Sequence, residues 1–487
     1  MMGMKNRNLE ITIPRSFPVV LLMFLMACSQ VGTIKSIGIY LEDISWSLGT
    51  TSADIGLALG LFNAFGTFLA PLVVALYRLR TFRRVMLISG SCFVSLGVVL
   101  TAMATTNAQI AIYLAISGIG HCILGTLTTV ALDQIAKTQN FDALYALGMS
   151  GFGLGMVLLP FLADVLGPVY GWRGGLLILG GLMCNLIPCA TAIQVEPSSC
   201  NDEVSDIIDD FNGSGSDEER DCKDYSTDGE ITPLCPESSR GSQPDRTERL
   251  VVGDLRSAKS SAVDQNQIDP HEHNSSSRPC LGRLAERVRG SDFYRNRVFN
   301  LVLLANMTFG VVYCGWHGFL VPHAIQRGYS INAAILMTFF ASIGNFLGRL
   351  LTGALSDRLA KPTILYLVAT LLNIVAILCD VILRNYYVMF VMACLSAISI
   401  ASKAVLGPLV LRKTASPGSF NVAYAAHELL FGIGNFLGGY LSGKIGGLYS
   451  SYDAAFVFLG CTDIVVLLLM LSTITVVHQK TKIDNKD

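Results

Sequence analysis

Lys35 and Arg349 each stand inside a long apolar run, where an ionisable side chain is costly and is by default a functional candidate. At ~1.5 Å per helical residue, Lys35 lies roughly 8 Å beyond the middle of the run 18–41. Arg349 lies a similar distance past the middle of the run 332–355, which passes in the opposite direction. Two cations at different depths, one in each half of the chain, suit a pathway for an anion. Arginine clamps a carboxylate through two parallel hydrogen bonds, whereas lysine acts as a point charge. The bland alternatives are a structural ion pair or a side chain that snorkels to the membrane surface. Lys403 and the pair His427-Glu428 come next. Glu428 either carries a proton or neutralises Lys403 across a helix interface, and the neutral pair is the expectation. His121 and His317 read as helix-packing histidines, and Asp54, Asp380 and Asp463 as solvated or capping groups near helix ends.

The chain has no Gly-Lys-Ser/Thr phosphate loop, no metal-ligand spacing and no nucleophile elbow. An ATP-driven pump and an enzyme are therefore unsupported, and neither a metal nor another cofactor is expected.

These residues must be held by elements that sit in lipid. Of 487 residues 52% are hydrophobic and 15% charged, against about 25% charged in ordinary soluble domains. Such a composition excludes a soluble globule, a coiled coil and a nucleic-acid binder as descriptions of the whole chain. Runs able to span a bilayer fall at 18–41, 53–77, 85–104, 108–132, 143–166 and 173–193, then at 298–322, 332–355, 362–383, 386–411, 419–442 and 454–477. The block 201–300 holds 21 acidic and 13 basic residues, so the insert within it is acidic and the rest of the chain basic. The expected organisation is a tail 1–17, a six-helix bundle 18–193, a disordered loop 194–296, a second six-helix bundle 297–477 and a tail 478–487. The cysteines, such as Cys28, Cys92, Cys184 and Cys394, mostly sit in apolar runs and read as small hydrophobes.

Basic residues in short loops mark the cytoplasmic side. Lys5, Arg7, Arg15, Arg78, Arg80, Arg83, Arg84, Lys137, Arg358, Lys361, Arg412 and Lys413 share the side of both termini, against Arg173, Arg327, Arg384 and Lys444 opposite. Both termini and the insert are therefore expected in the cytoplasm. An internal echo supports the architecture: Gly344-Asn345-Phe346-Leu347-Gly348 in the eighth run repeats as Gly434-Asn435-Phe436-Leu437-Gly438 in the eleventh. A shared GNFLGxxLxG at corresponding places of two three-helix units points to nested repeats within six-helix halves. That is the plan of the major facilitator superfamily: an all-α membrane protein with twelve transmembrane helices in two six-helix halves. Close packing at Gly-xxx-Gly spacings accounts for the glycines alone. Members of that superfamily carry a charged gate motif after the second and eighth helices. Arg78, Arg83 and Arg84, with Asp357 and Arg358, stand at those places.

Four further stretches resemble the monocarboxylate transporter family. They are Thr33 to Leu41 with Lys35, Ala143 to Gly151, the junction Gly171-Trp172-Arg173-Gly174 continuing to Asn185, and Gly344 to Arg358. The resemblance covers both halves and omits the insert and tails. It implies a plasma-membrane carrier of small organic acids, with Lys35 and Arg349 as substrate cations. Other members move amino acids, thyroid hormones, creatine or carnitine, and some need a single-span accessory protein to reach the surface. This chain departs from the family at three places. Asn345 stands where proton-coupled members have an aspartate, Ile13 to Pro18 replaces the Asp-Gly-Gly-Trp-Gly-Trp entry, and Gln139-Asn140-Phe141 replaces a basic pair.

The resulting expectation is alternating-access transport of a small monocarboxylate or related solute, with Lys35, Arg349 and Asn345 at the substrate and Glu428 or His427 carrying any proton. The alternatives are a pH-independent facilitator of a zwitterion or larger solute, and a non-transporting receptor or scaffold that uses its cytoplasmic loop.

Overall fold

The structure is a computed structural model that describes residues 16–50, 52–77, 82–136, 140–193, 296–358, 361–416 and 419–484. Nearly all of the acidic insert, like Arg78 and most of the N-terminal tail, lies outside these residues. Among the described residues the secondary structure is helical throughout, without a strand.

Among the described residues, ten helices are long and apolar enough to cross a bilayer. One of them, Phe141–Thr191, has 51 residues. As a straight helix it would measure about 75 Å, more than twice the roughly 30 Å hydrocarbon thickness. It folds back at Gly171, whose φ of 63° and ψ of 176° only glycine adopts without strain. This one helix therefore makes two crossings. A twelfth crossing is Phe420–Leu448, whose glycines, Glu428 and Lys444 lower its apolar content.

The twelve spans are, in order, span 1 (Phe17–Ile39), span 2 (Ser52–Phe68 with Ala70–Tyr77), span 3 (Arg83–Ala102) and span 4 (Asn107–Ala136), followed by spans 5 and 6 on either side of Gly171. After the insert come span 7 (Arg297–Gln326), span 8 (Ile331–Arg358), span 9 (Pro362–Leu383), span 10 (Tyr386–Thr414), span 11 (Phe420–Leu448) and span 12 (Tyr452–Asp484). Most boundaries fall close to the apolar runs. The largest departures are helical ends that continue beyond the apolar stretch, as at Leu448 of span 11 and Asp484 of span 12. A short helix, Leu41–Leu48, follows span 1 directly and ends at Gly49 in the left-handed region; hydropathy did not mark it.

The two halves pack alike. Span 1 lies on span 5, span 2 on span 4 and span 3 on spans 4 and 6; in the second half span 7 lies on span 11, span 8 on span 10 and span 9 on spans 10 and 12. Glycines set the closest crossings. Gly151 and Gly155 of span 5 meet the Phe24 and Cys28 carbonyls of span 1, and Gly434 and Gly438 of span 11 meet the Met307 and Val311 carbonyls of span 7. A Cβ at any of these positions would collide with backbone. In span 8 the equivalent Gly344 and Gly348 lie on the backbone of span 10. The repeated GNFLG thus has a packing cause in both of its copies.

The Gly-Trp-Arg-Gly junction is also explained by packing. Arg173 donates to the Ala102 and Ala104 carbonyls at the end of span 3 (3.1 and 2.7 Å), satisfying acceptors that a helix C-terminus leaves open. Its guanidinium covers the Trp172 ring, and the Trp172 indole donates to Ser47 of the short helix. Outward-facing positions such as Leu57, Phe161, Val368 and Leu468 are exposed and apolar, as a lipid-facing surface requires. All nine cysteines among the described residues are free thiols.

Candidate substrate site

Between the halves lies a small cavity. Lys35 comes to it from span 1, Met156 from span 5, Trp316 and His317 from span 7, and Thr338 and Ala341 from span 8. Apart from Met156, at the middle of span 5, these positions are displaced from mid-span toward the side opposite the termini, called here the far side. Ala341, Asn345 and Arg349 recur at four-residue intervals, so they share one face of span 8. Helical side chains tilt toward the N-terminus of their helix, which for span 8 is the far side. Arg349 accordingly reaches back, and its Nε donates to Asn345 Oδ1 at 3.0 Å.

Arg349 is almost wholly buried, at 1% exposure. Its guanidinium stacks on Phe152 at 4.7 Å and lies beside the Tyr313 hydroxyl, while one terminal nitrogen, Nη1, has no hydrogen-bond partner. Tyr313 and His317 follow one turn apart on span 7, with rings 4.7 Å apart. The charges of Lys35 and Arg349 both act on the His317 ring, and His317 Nε2 is buried without a partner. Among the described residues no carboxylate lies within ion-pair distance of Lys35 or Arg349. The two cations singled out from the sequence thus flank the Tyr313–His317 pair, Lys35 lining the cavity and Arg349 lying outside its lining. Asn345 is there too, as the hydrogen-bond acceptor that orients the guanidinium.

Other expectations require correction. Lys403 does not pair with Glu428: its ammonium binds both carboxylate oxygens of Asp463 at 2.6 and 2.8 Å. Asp463 is neither solvated nor a cap. It sits inside span 12 at 0% exposure and also accepts from Asn373 of span 9 at 2.6 Å. Asp380 is buried as well, bound to His323 at 2.9 Å and Arg327 at 3.1 Å. His121 is a packing histidine, held by Ser29 and the Ser117 carbonyl. His317, with its partnerless Nε2 in the cavity, is not simply one. Asp54 is not without a partner.

Glu428 and His427 lie away from the cavity, toward the termini. Their side chains approach to 3.4 Å, and the His427 ring stacks between Tyr424 and Phe431. Tyr424 touches Glu428, Tyr145 and, at 3.3 Å, Thr129 of span 4.

On the terminal side the halves are joined. Asp133 at the end of span 4 accepts from Arg412 at the end of span 10 at 2.5 Å, and the Arg412 guanidinium also covers Phe141. Asp142 accepts from Ser356 at 2.6 Å and faces Lys413 at 3.4 Å. Sequence reasoning read Arg412 and Lys413 only as markers of sidedness and passed over Asp133 and Asp142. Of the basic loop, Arg83 stays within the first half, donating to the Tyr77 carbonyl and stacking on its ring, and Arg84 is exposed. Arg78 lies outside the described residues, and Asp357 and Arg358 outside the described side chains.

Twelve spans in two halves of like packing, with a polar site between them, define a secondary carrier. The model of the Major Facilitator Superfamily matches residues 20–379 and again 302–487, and the chain belongs to that superfamily. Among curated relatives, monocarboxylate transporter 12 of Mus musculus is 22% identical over 76% of this chain and 67% of its own length. Monocarboxylate transporter 9 of Rattus norvegicus is 25% identical over 72% of this chain and 70% of its own length. The family resemblance read from the sequence therefore holds. In fold the chain is similar to the human organic anion transporter MFSD10 (TM-score 0.60, 14% identity, 94% of this chain and 100% of that one). It is likewise similar to the E. coli fucose:proton symporter FucP (TM-score 0.62, 15% identity, 95% and 99%).

Proposed function

We propose that this chain is a plasma-membrane carrier of a small organic anion, with Lys35 and Arg349 as its substrate cations, Asn345 orienting the arginine, and both termini in the cytoplasm. The observation that carries this reading is the pair of cations, free of carboxylates among the described residues, on either side of the Tyr313–His317 pair, with Lys35 and His317 lining the cavity. A zwitterion is disfavoured because its ammonium would meet two like charges there. Relatives whose names contain monocarboxylate transporter support the substrate class. In this orientation the described conformation is closed toward the cytoplasm, with the cavity on the external side, and transport proceeds by rocking of the halves. Uptake of labelled pyruvate and of labelled succinate in oocytes, normalised to surface protein, tests the proposal: a saturable rate of either acid above water-injected cells supports it. Deleting 200–280 should leave that rate intact. Loss of partner binding with no transport at any stage would instead support a scaffold.

Asp133, Asp142, Ser356, Arg412 and Lys413 act as the cytoplasmic closure, with the Arg78, Arg83, Arg84, Asp357 and Arg358 loops flanking it. A part-buried ion pair is worth about 1 kcal/mol. Asp133→Asn should therefore shift the carrier away from its external-facing state and weaken apparent external affinity several-fold. The charge-swapped pair Asp133→Arg with Arg412→Asp should restore it. Uptake curves against external substrate concentration provide the check.

Asn345 cannot take up a proton, so any proton coupling falls to Glu428 with His427. Glu428 faces Tyr424 and His427 on its own span, Tyr145 of span 5 and Cys122 of span 4. Where uptake rises from external pH 7.5 to 6, Glu428→Gln should flatten that slope. An unchanged slope would remove Glu428 from the coupling.

A further inference from the structure

We infer that the cavity takes a dianion, a short dicarboxylate, and that the carrier exchanges one such anion for another instead of returning empty. The inference rests on the anion-carrier reading and adds to it a substrate charge and a transport mode. Three observations carry it. First, Lys35 and Arg349 flank the Tyr313–His317 pair, Lys35 lining the cavity and Arg349 lying behind Tyr313, and among the described residues no carboxylate balances either. Second, the partners that Arg349 does have, Asn345 and Tyr313, are neutral, so neither cancels the charge of the guanidinium. Third, Arg349 Nη1 and His317 Nε2 are buried polar atoms left without partners, although buried polar groups are nearly always satisfied.

The chemistry follows from these atoms. A carboxylate on Arg349 neutralises one charge and can use the free Nη1; a second carboxylate of the same molecule meets Lys35, with His317 between them. A monocarboxylate leaves one cation uncompensated in a site walled by apolar side chains, where an unpaired charge is strongly disfavoured.

The transport mode has the same cause. Passage between access states requires the cavity to close and shed water. Closing it empty would strand two cations in the membrane interior, whereas closing it around a dianion buries a neutral assembly. Loaded carriers therefore cross and empty ones do not. Glu428 does not relieve this, because it lies behind Tyr145 and Tyr424 on the terminal side. No covalent step is involved.

The test uses the full chain in proteoliposomes, with labelled succinate and labelled pyruvate as probes. Succinate uptake should be at least tenfold faster into vesicles preloaded with unlabelled succinate than into empty ones, and internal pyruvate should not substitute. Asn345→Asp puts a carboxylate where Oδ1 now meets Arg349 Nε and lowers the site charge by one. It should reverse the preference, so that pyruvate outruns succinate and enters empty vesicles. Equal rates into loaded and empty vesicles overturn the exchange. Pyruvate flux that is indifferent to an internal dianion overturns the dianion while leaving the anion carrier in place. Absence of flux of both acids, together with no rise of the melting temperature by either, overturns the carrier reading and this inference with it.

Discussion

Replacing Arg349 with alanine should abolish substrate uptake while the protein still reaches the cell surface. Arg349 is buried, is held by Asn345, Phe152 and Tyr313, and keeps one terminal nitrogen, Nη1, without a hydrogen-bond partner. Removing one member of a buried, hydrogen-bonded charge pair costs about 2–5 kcal/mol, equivalent to a loss of roughly 30- to several-thousand-fold. Arg349→Lys keeps the charge but loses the planar fork, so partial activity with a weakened apparent affinity is expected. The fold should tolerate the alanine, because the variant removes a charge that the empty protein leaves uncompensated. Surface-normalised uptake of Arg349→Ala, Arg349→Lys and wild type checks this. A normal rate in the alanine variant would place the substrate elsewhere.

The second large effect concerns stability and not transport. Lys403 and Asp463 form an ion pair at 0% exposure, wrapped by Phe309 and Asn373. Breaking a buried pair from one side leaves an uncompensated charge and costs about 3–5 kcal/mol. Lys403→Met alone and Asp463→Leu alone should therefore each lower the melting temperature sharply and reduce surface delivery. The combination Lys403→Met with Asp463→Leu should recover much of the loss, because replacing both charges by apolar groups of similar size is often neutral. Thermal unfolding of the detergent-purified single and double variants decides it. A double variant as unstable as the singles would mean that the pair does more than neutralise itself, with Asn373 and the neighbouring Tyr366 hydroxyl part of a required network.

The way these effects were and were not legible in the sequence has a physical pattern. The spans were legible because lipid imposes length and apolarity on each one separately, so no knowledge of neighbours is needed. The cations of the site were legible for a related reason: at Lys35 and Arg349 the cost of burial is visible from the run alone. Which groups face each other was not legible, because it depends on helix rotation. Lys403 has Glu428 nearer in sequence, yet span 12 turns Asp463 toward it. The same holds for Asp133 with Arg412 and for Asp142 with Ser356, where acidic residues just beyond two apolar runs look like ordinary solvated ends. The fold-back at Gly171 was marked by Gly-Trp-Arg-Gly, although the sequence could not say that Arg173 closes the end of span 3. His317 reads as a packing residue in the sequence because its position in span 7 does not reveal that a cavity lies beside it.

The most direct test of the central claim is whether the cavity recognises charge. Melting temperature of the purified full chain would be followed against increasing pyruvate and succinate, and against the neutral amides of the same acids. A rise with the acids, none with the amides, and none with either in the double variant Lys35→Ala, Arg349→Ala is the result predicted here. An equal response to acids and amides, or to acids in wild type and double variant alike, would contradict it.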